Sequence, residues 1–167
     1  MNSRERVLAA LNHREPDRIP VDFSGHRSSG ISAMAYARLR KHLGLEPKPI
    51  RVYDPVQQLA IVDEDILDRF KVDVIELGRG FDNLEGTWVD WALPDGTPCK
   101  MPSWAEPKRG KNSWDIISPK SGRVIATMPD SAVYFEQTYW PFAEKEDLDN
   151  IGGSFSESMW CAMVTPP

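Results

Sequence analysis

A chain of 167 residues is long enough to hide roughly 70% of its unfolded surface in one core, so one domain is the default reading. Hydrophobic residues at 41% and charged residues at 27% exclude wholesale disorder, and no apolar run reaches the ~18 residues that a membrane-spanning helix needs. The net charge is -5 and the lysines and arginines are scattered, which argues against nucleic acid as the main partner.

The opening MNSRERVLAALNHRE has only a short apolar patch and no small-residue cleavage site, so it does not read as a secretory signal and points to a cytoplasmic protein. Asn2 with Glu5 three residues later forms a reciprocal cap, and Val7, Leu8 and Leu11 share a face, predicting a helix from Ser3 to Leu11. Pro16 closes that segment, and IPVDF, Ile19 to Phe23, reads as a short buried strand. Helical spacing resumes at Ile31 and runs to Leu43, with Gly44 placed to be the left-handed residue past its end. Asp54-Pro55 combines a cap with proline at a first helical position, and the spacing of Val56, Leu59, Ala60, Ile66 and Phe70 predicts a third helix from Pro55 to Arg69. Val72 to Leu77 then reads as a buried strand, with Gly78-Arg79-Gly80 as its loop. Strand, helix, helix, strand favours a parallel sheet with crossover helices over residues 1–82.

Residues 83–142 change character. Four β-prone pieces, TWVDWAL, SWDIIS, RVIATM and AVYFE, lie between turn signals, and Asp95-Gly96 and Ser121-Gly122 each predict a hairpin. Over residues 143–167, AEKEDLDNIGG reads as one short helix.

No P-loop, GxSxG, HExxH or strand-following GxGxxG occurs. Cys99 and Cys161 lie far apart without a zinc-type spacing and read as free thiols, so no metal ligand is assigned. Ligands of parallel α/β sheets gather at the carboxyl ends of the strands, where Asp22, His26 and Arg27 follow the first strand. Asp22 could take a proton or hold a cation, His26 could act as acid or base, and Arg27 could clamp a carboxylate; a solvated loop with Asp22 capping a turn is the plain alternative. Glu76, Arg79 and Asp82 hold the matching position after the second strand. The six tryptophans could stack on a flat ligand or fill a small core between hairpins, and His13 and His42 read as surface residues.

MNSRERVLAALNHREPDRIPVDFSG, followed by YDPVQQLAIVDEDILDRFKVDVIELG, resembles the amino-terminal part of the uroporphyrinogen decarboxylase superfamily, which also holds corrinoid-dependent methyltransferases. The resemblance covers roughly residues 2 to 80 and implies the amino-terminal part of a TIM (β/α)8 barrel, here with an antiparallel β-hairpin insertion. Such a barrel takes ~250 residues, so the likeness implies a fragment that is catalytically incompetent alone, open to self-association through exposed strand edges. From their places at the carboxyl ends of the two strands, Asp22 and His26 are expected as catalytic groups and Arg27, Glu76 and Arg79 as substrate-binding ones. The decarboxylases carry a Met-Arg-Gln-Ala-Gly-Arg-Tyr run after the first strand, where this chain has Ser24-Gly25-His26-Arg27-Ser28-Ser29-Gly30, and an aspartate after the next strand, where it has Glu76. These departures favour methyl transfer involving a corrinoid protein over tetrapyrrole decarboxylation. Zinc and the corrinoid partner would belong to an intact enzyme, the fragment itself holding no cofactor. A non-catalytic α+β binding module is the alternative.

Overall fold

The computed structural model describes residues 1–76, 86–143 and 148–159. The first helix, α1 (Ser3–Leu11), begins at Asn2, whose side chain accepts from the Glu5 amide at 2.8 Å while the Glu5 carboxylate accepts from the Asn2 amide at 2.9 Å. The second, α2 (Ala33–His42), starts on Ser32 and ends with Arg40, Lys41 and His42 facing the negative end of its dipole. Gly44 follows at φ +68°, where a side chain would strain the turn. Both helices and the residue that stops the second match the sequence pattern.

The strands do not form a barrel wall. β1 (Ile50–Asp54) reverses into β2 (Leu59–Ala60), and α3 (Glu64–Arg69) follows. Then come β3 (Trp88–Ala92), β4 (Pro98–Pro102), β5 (Lys108–Arg109), β6 (Ser113–Ile117), β7 (Val124–Pro129), β8 (Glu136–Gln137) and α4 (Ile151–Glu157). They make two four-stranded sheets, ordered β2-β1-β4-β3 and β5-β6-β7-β8. Only β1 and β4 pair in parallel inside these sheets, Ile50 beside Cys99 and Arg51 beside Lys100. Every other named pair is antiparallel. The protein is thus mixed α/β, and the barrel-fragment expectation fails: no α-helix separates the successive strands from β3 to β8 among the described residues. Short hairpins satisfy neighbouring strands locally, so no crossover helix is needed to bring them together.

Four narrower expectations are also corrected. The predicted helix from Pro55 to Arg69 is a turn, a strand and a shorter helix. Asp54 does cap, but it caps a turn, its Oδ1 accepting from the Gln57 amide at 2.9 Å, and Gln58 takes φ 52° to reverse the chain. The apolar run beyond it alternates with period two: Leu59 and Ile61 join Tyr53 and Trp88 on one side, while Ala60 and Val62 enter the main core on the other. IPVDF is no buried strand, since Ile19 is 84% exposed and the segment touches Val74 through one parallel bridge at Asp22. AVYFE yields only β8 at its end, with Val133 and Tyr134 exposed. Val72 to Leu77 is no buried strand, making one bridge at Val74 with Ile75 58% exposed and Leu77 outside the described residues. The helix expected in AEKEDLDNIGG is met in part by α4, residues 144–147 lying outside the described residues. The hairpins at Gly96 and Gly122 are present, with φ of 81° and 71°.

One core joins these elements. Ala33 and Tyr36 of α2, Val52 of β1, and Cys99 and Met101 of β4 pack with Ile116, Ala126 and Met128 of the second sheet. Trp91 meets Trp114 edge-to-face at 5.9 Å and lies 6.3 Å from Phe135, so these rings tie the sheets together instead of waiting for a flat ligand. Trp140 stays 61% exposed, and Trp160 lies outside the described residues. No helix among the described residues is long and apolar enough to cross a membrane.

Candidate functional site

Three segments of the first half meet at one carboxylate. Asp73, whose side chain is 0% exposed, receives Arg6 Nη1 at 2.6 Å, Arg18 Nη1 at 2.7 Å and Nη2 at 3.0 Å, and the Val21 amide at 2.9 Å. Arg6 also forks onto Asp17 at 2.7 and 2.9 Å. Burial would raise the Asp73 pKa, but the Val21 amide and the Arg18, Ser3 and Arg6 side chains outweigh it and hold the carboxyl well below its ordinary range. RERVLAAL, EPDRIPV and KVDVIEL are therefore linked as a joint that fixes the segment before Asp22 against the one before Glu76.

From that joint the chain enters the loop Asp22 to Ser29. Asp22 Oδ1 accepts from the Gly25 amide at 2.7 Å and from Ser29 Oγ at 2.9 Å, so this carboxylate caps the loop while remaining exposed. His26 Nδ1 accepts from the Ser28 amide at 3.1 Å, which places the imidazole proton on Nε2 in the neutral ring. The exposed ring can then donate from Nε2. Gly25 sits where a Cβ would come within 2.5 Å of both Asp22 Oδ1 and Val74 Cγ1, so the backbone presses directly on the neighbouring segment. Ser24, at φ 69°, is buried with its hydroxyl lacking a hydrogen-bond partner.

Arg27 turns inward, away from Asp22 and His26. Its Nε donates to Asp54 Oδ2 at 2.9 Å, its Nη1 lies 3.4 Å from Glu76 Oε1, and its guanidinium stands 5.8 Å from the centre of the Tyr53 ring. Asp54 is 0% exposed and Glu76 is 9% exposed. Burial pushes the Tyr53 hydroxyl far above its ordinary pKa, and the adjacent Glu76 carboxylate adds to the shift. Two buried carboxylates thus share one guanidinium, with the Tyr53 hydroxyl beside Glu76, and among the described residues Glu76 Oε2 receives no hydrogen bond of good geometry. The cluster favours a ligand that brings a positive charge or an N–H donor.

The structure brings Arg27 and Glu76 together and places Asp22 and His26 on the rim of the same loop; Arg79 and Asp82 lie outside the described residues. Tyr53 and Asp54 were not among the sequence-read site residues. The alternation of IRVYD, with Ile50 and Val52 buried in the core, was the available sign of a strand carrying them. The zinc that the likeness implies finds no fitting ligand set among the described residues. They hold no metal-suited group of three or more His, Cys, Asp or Glu, and burial pushes the Cys99 thiol up to about 12. Cys161 lies outside the described residues. No family model, curated protein or solved structure compared with this chain matches it.

Proposed function

We propose that this chain is a cytoplasmic enzyme, or part of one, in the decarboxylase and corrinoid-linked methyltransferase class that residues 2–80 resemble, and that it binds a small-molecule substrate at Arg27, Tyr53, Asp54 and Glu76. The carrying observation is the excess of buried carboxylate over guanidinium: among the described residues Asp54 and Glu76 share Arg27, with the Tyr53 hydroxyl as the further neighbour of Glu76. Arg27 is already held by two acids, so it is poorly placed to clamp substrate carboxylates as the decarboxylase arginines do. That favours methyl transfer from a cationic or N–H-bearing methyl donor, with a corrinoid protein as acceptor, over tetrapyrrole decarboxylation. His26 at the rim supplies an N–H donor from Nε2.

Calorimetric titration with methylammonium and tetramethylammonium salts, for wild type and Glu76→Gln, tests the binding half. Saturable binding that weakens by about tenfold or more in the variant supports it, since an unscreened carboxylate contact is worth more than ~1.4 kcal/mol. Equal affinity in both proteins, or none in either, removes the site. Methyl transfer to cob(I)alamin, followed by absorbance against carbon dioxide release from uroporphyrinogen, separates the two reactions.

A second reading rests on exposed apolar side chains beside incomplete strand edges. Ile19 is 84% and Ile75 58% exposed on the two segments joined by the single Asp22–Val74 bridge. Self-association there would cover unpaired backbone and apolar surface. Sedimentation showing a dimer that Ile75→Lys dissociates supports it, and a wild-type monomer at high concentration refutes it.

A further inference from the structure

The sheet β2-β1-β4-β3 has a second face, turned away from the main core, on which Tyr53 of the Arg27 cluster packs with Trp88 at one part and charged residues stand at another. Strand alternation puts Arg51, Lys100, Asp90 and Trp88 on that side, because Ile50, Val52, Cys99 and Met101 fill the core side. Arg51 is in register with Lys100, and Lys100 with Asp90. With Lys48 and Asp63, the side chains of Arg51, Lys100 and Trp88 line an open cavity of about 540 Å³, within the usual range for small-molecule sites.

Its charge does not balance. Among the described residues, Asp63 is the lone acid in the lining against Lys48, Arg51 and Lys100. Asp63 is also engaged already, by Lys48 at 2.8 Å, Arg40 at 3.0 Å and the Tyr36 hydroxyl at 2.7 Å. Lys100 pairs with Asp90, but that aspartate is 85% exposed, so the pair contributes little and can be exchanged. Arg51 has no carboxylate within ion-pair distance among the described residues. In a chain of net charge -5, a concave surface with two excess cations is a local reversal of field that concentrates anions.

A second cavity of about 740 Å³ shares Lys48 and Pro49 with the first and continues along Leu45, Pro47, Ile50 and Pro98. Its lining is mostly apolar. Cations at one end and an apolar trough across a shared wall select a ligand with the same division. We infer that this face binds a small organic dianion, a phosphate monoester or a dicarboxylate, with its charged group between Arg51, Lys100 and Lys48 and its apolar body passing over Pro49. The Arg51 fork suits two oxygens of one such group, and the lysines add point charges without demanding geometry. No residue of the Arg27–Glu76 cluster lines this cavity, although its Trp88 packs against Tyr53, and the excess charge of the two sites has opposite sign.

Titration calorimetry of the whole chain at pH 8 with phenyl phosphate, phthalate and inorganic phosphate tests the inference. Saturable binding of phenyl phosphate or phthalate is expected, at least about tenfold tighter than inorganic phosphate and weakening as salt rises. Binding of phenyl phosphate alone assigns the phosphate monoester, and binding of phthalate the dicarboxylate. Arg51→Gln and Lys100→Gln, both at positions outside the main core, should each weaken binding by about tenfold or more with unchanged melting temperature. Absence of saturable binding by both organic dianions overturns the inference. So does unaltered affinity in both variants, or inorganic phosphate binding as tightly as its phenyl ester.

Discussion

Replacing Asp73 by Asn removes one charge from the joint while keeping its volume. The carboxylate takes four hydrogen bonds at 2.6 to 3.0 Å, three of them from Arg6 and Arg18, and its side chain is 0% exposed. Arg6 keeps its fork onto Asp17, and Arg18, at 33% exposure, can turn partly to water. The loss should therefore fall at the low end of the range for breaking a buried ion pair, about 3 kcal/mol. For a chain of this length that is a fall in melting temperature of about 6 to 12 °C. The pH dependence fixes the cause. The folded carboxyl lies below its unfolded value, so the stability it supplies is complete above an unfolded pKa of about 4 and is lost as pH falls through the lower folded one. Asp73→Asn has no such group, so the gap between the two proteins should be widest at neutral pH and narrow below about pH 4. Melting followed by circular dichroism at pH 7 and pH 3 reads both quantities. A gap below about 2 °C at pH 7, or one equally wide at pH 3, would refute the charge-network account.

Two further outcomes follow from local geometry. Gly25→Ala places a methyl group 2.5 Å from Asp22 Oδ1 and Val74 Cγ1, so denaturant titration should show a loss of about 1 to 3 kcal/mol, while Gly152→Ala, with open space at its Cβ, should show no comparable loss. Cys99 is 2% exposed and its thiol is pushed up to about 12 by burial, so peptide mapping after iodoacetamide treatment at pH 8 should find it unmodified in the folded protein and alkylated in urea; rapid native alkylation would show that the β4 core opens.

What the sequence disclosed divides by range. The Asn2–Glu5 box, the helix read from Ile31 to Leu43 and found at Ala33–His42, and the hairpin glycines at 96 and 122 depend on residues within a few positions of one another, and each was readable. The stretch from Pro55 to Arg69 misled because its apolar residues fit a helical spacing as well as the two-sided burial that occurs. Only the pairing of Val52 with Ala60, a tertiary fact, chooses between them. The Arg27 cluster was half legible for the same reason. Arg27 and Glu76 follow segments whose ends were expected to meet, but Tyr53 and Asp54 arrive through a strand that sequence spacing had assigned in part to a helix cap.

The Asp73 joint also bears on how far a family likeness extends. Arg6, Asp17, Arg18 and Asp73 sit in the segments that suggested the decarboxylase superfamily, and all four side chains are spent on one another. Such residues are constrained by the need to satisfy a buried carboxylate, whatever chemistry occurs nearby. The loop they position differs from the decarboxylase pattern, and its arginine is turned inward to two acids. The joint thus says nothing of the ligand bound beyond it. The substrate is therefore better sought through the charge of the Glu76 cluster, which asks for a cation or an N–H donor, than through the segments that suggested the family.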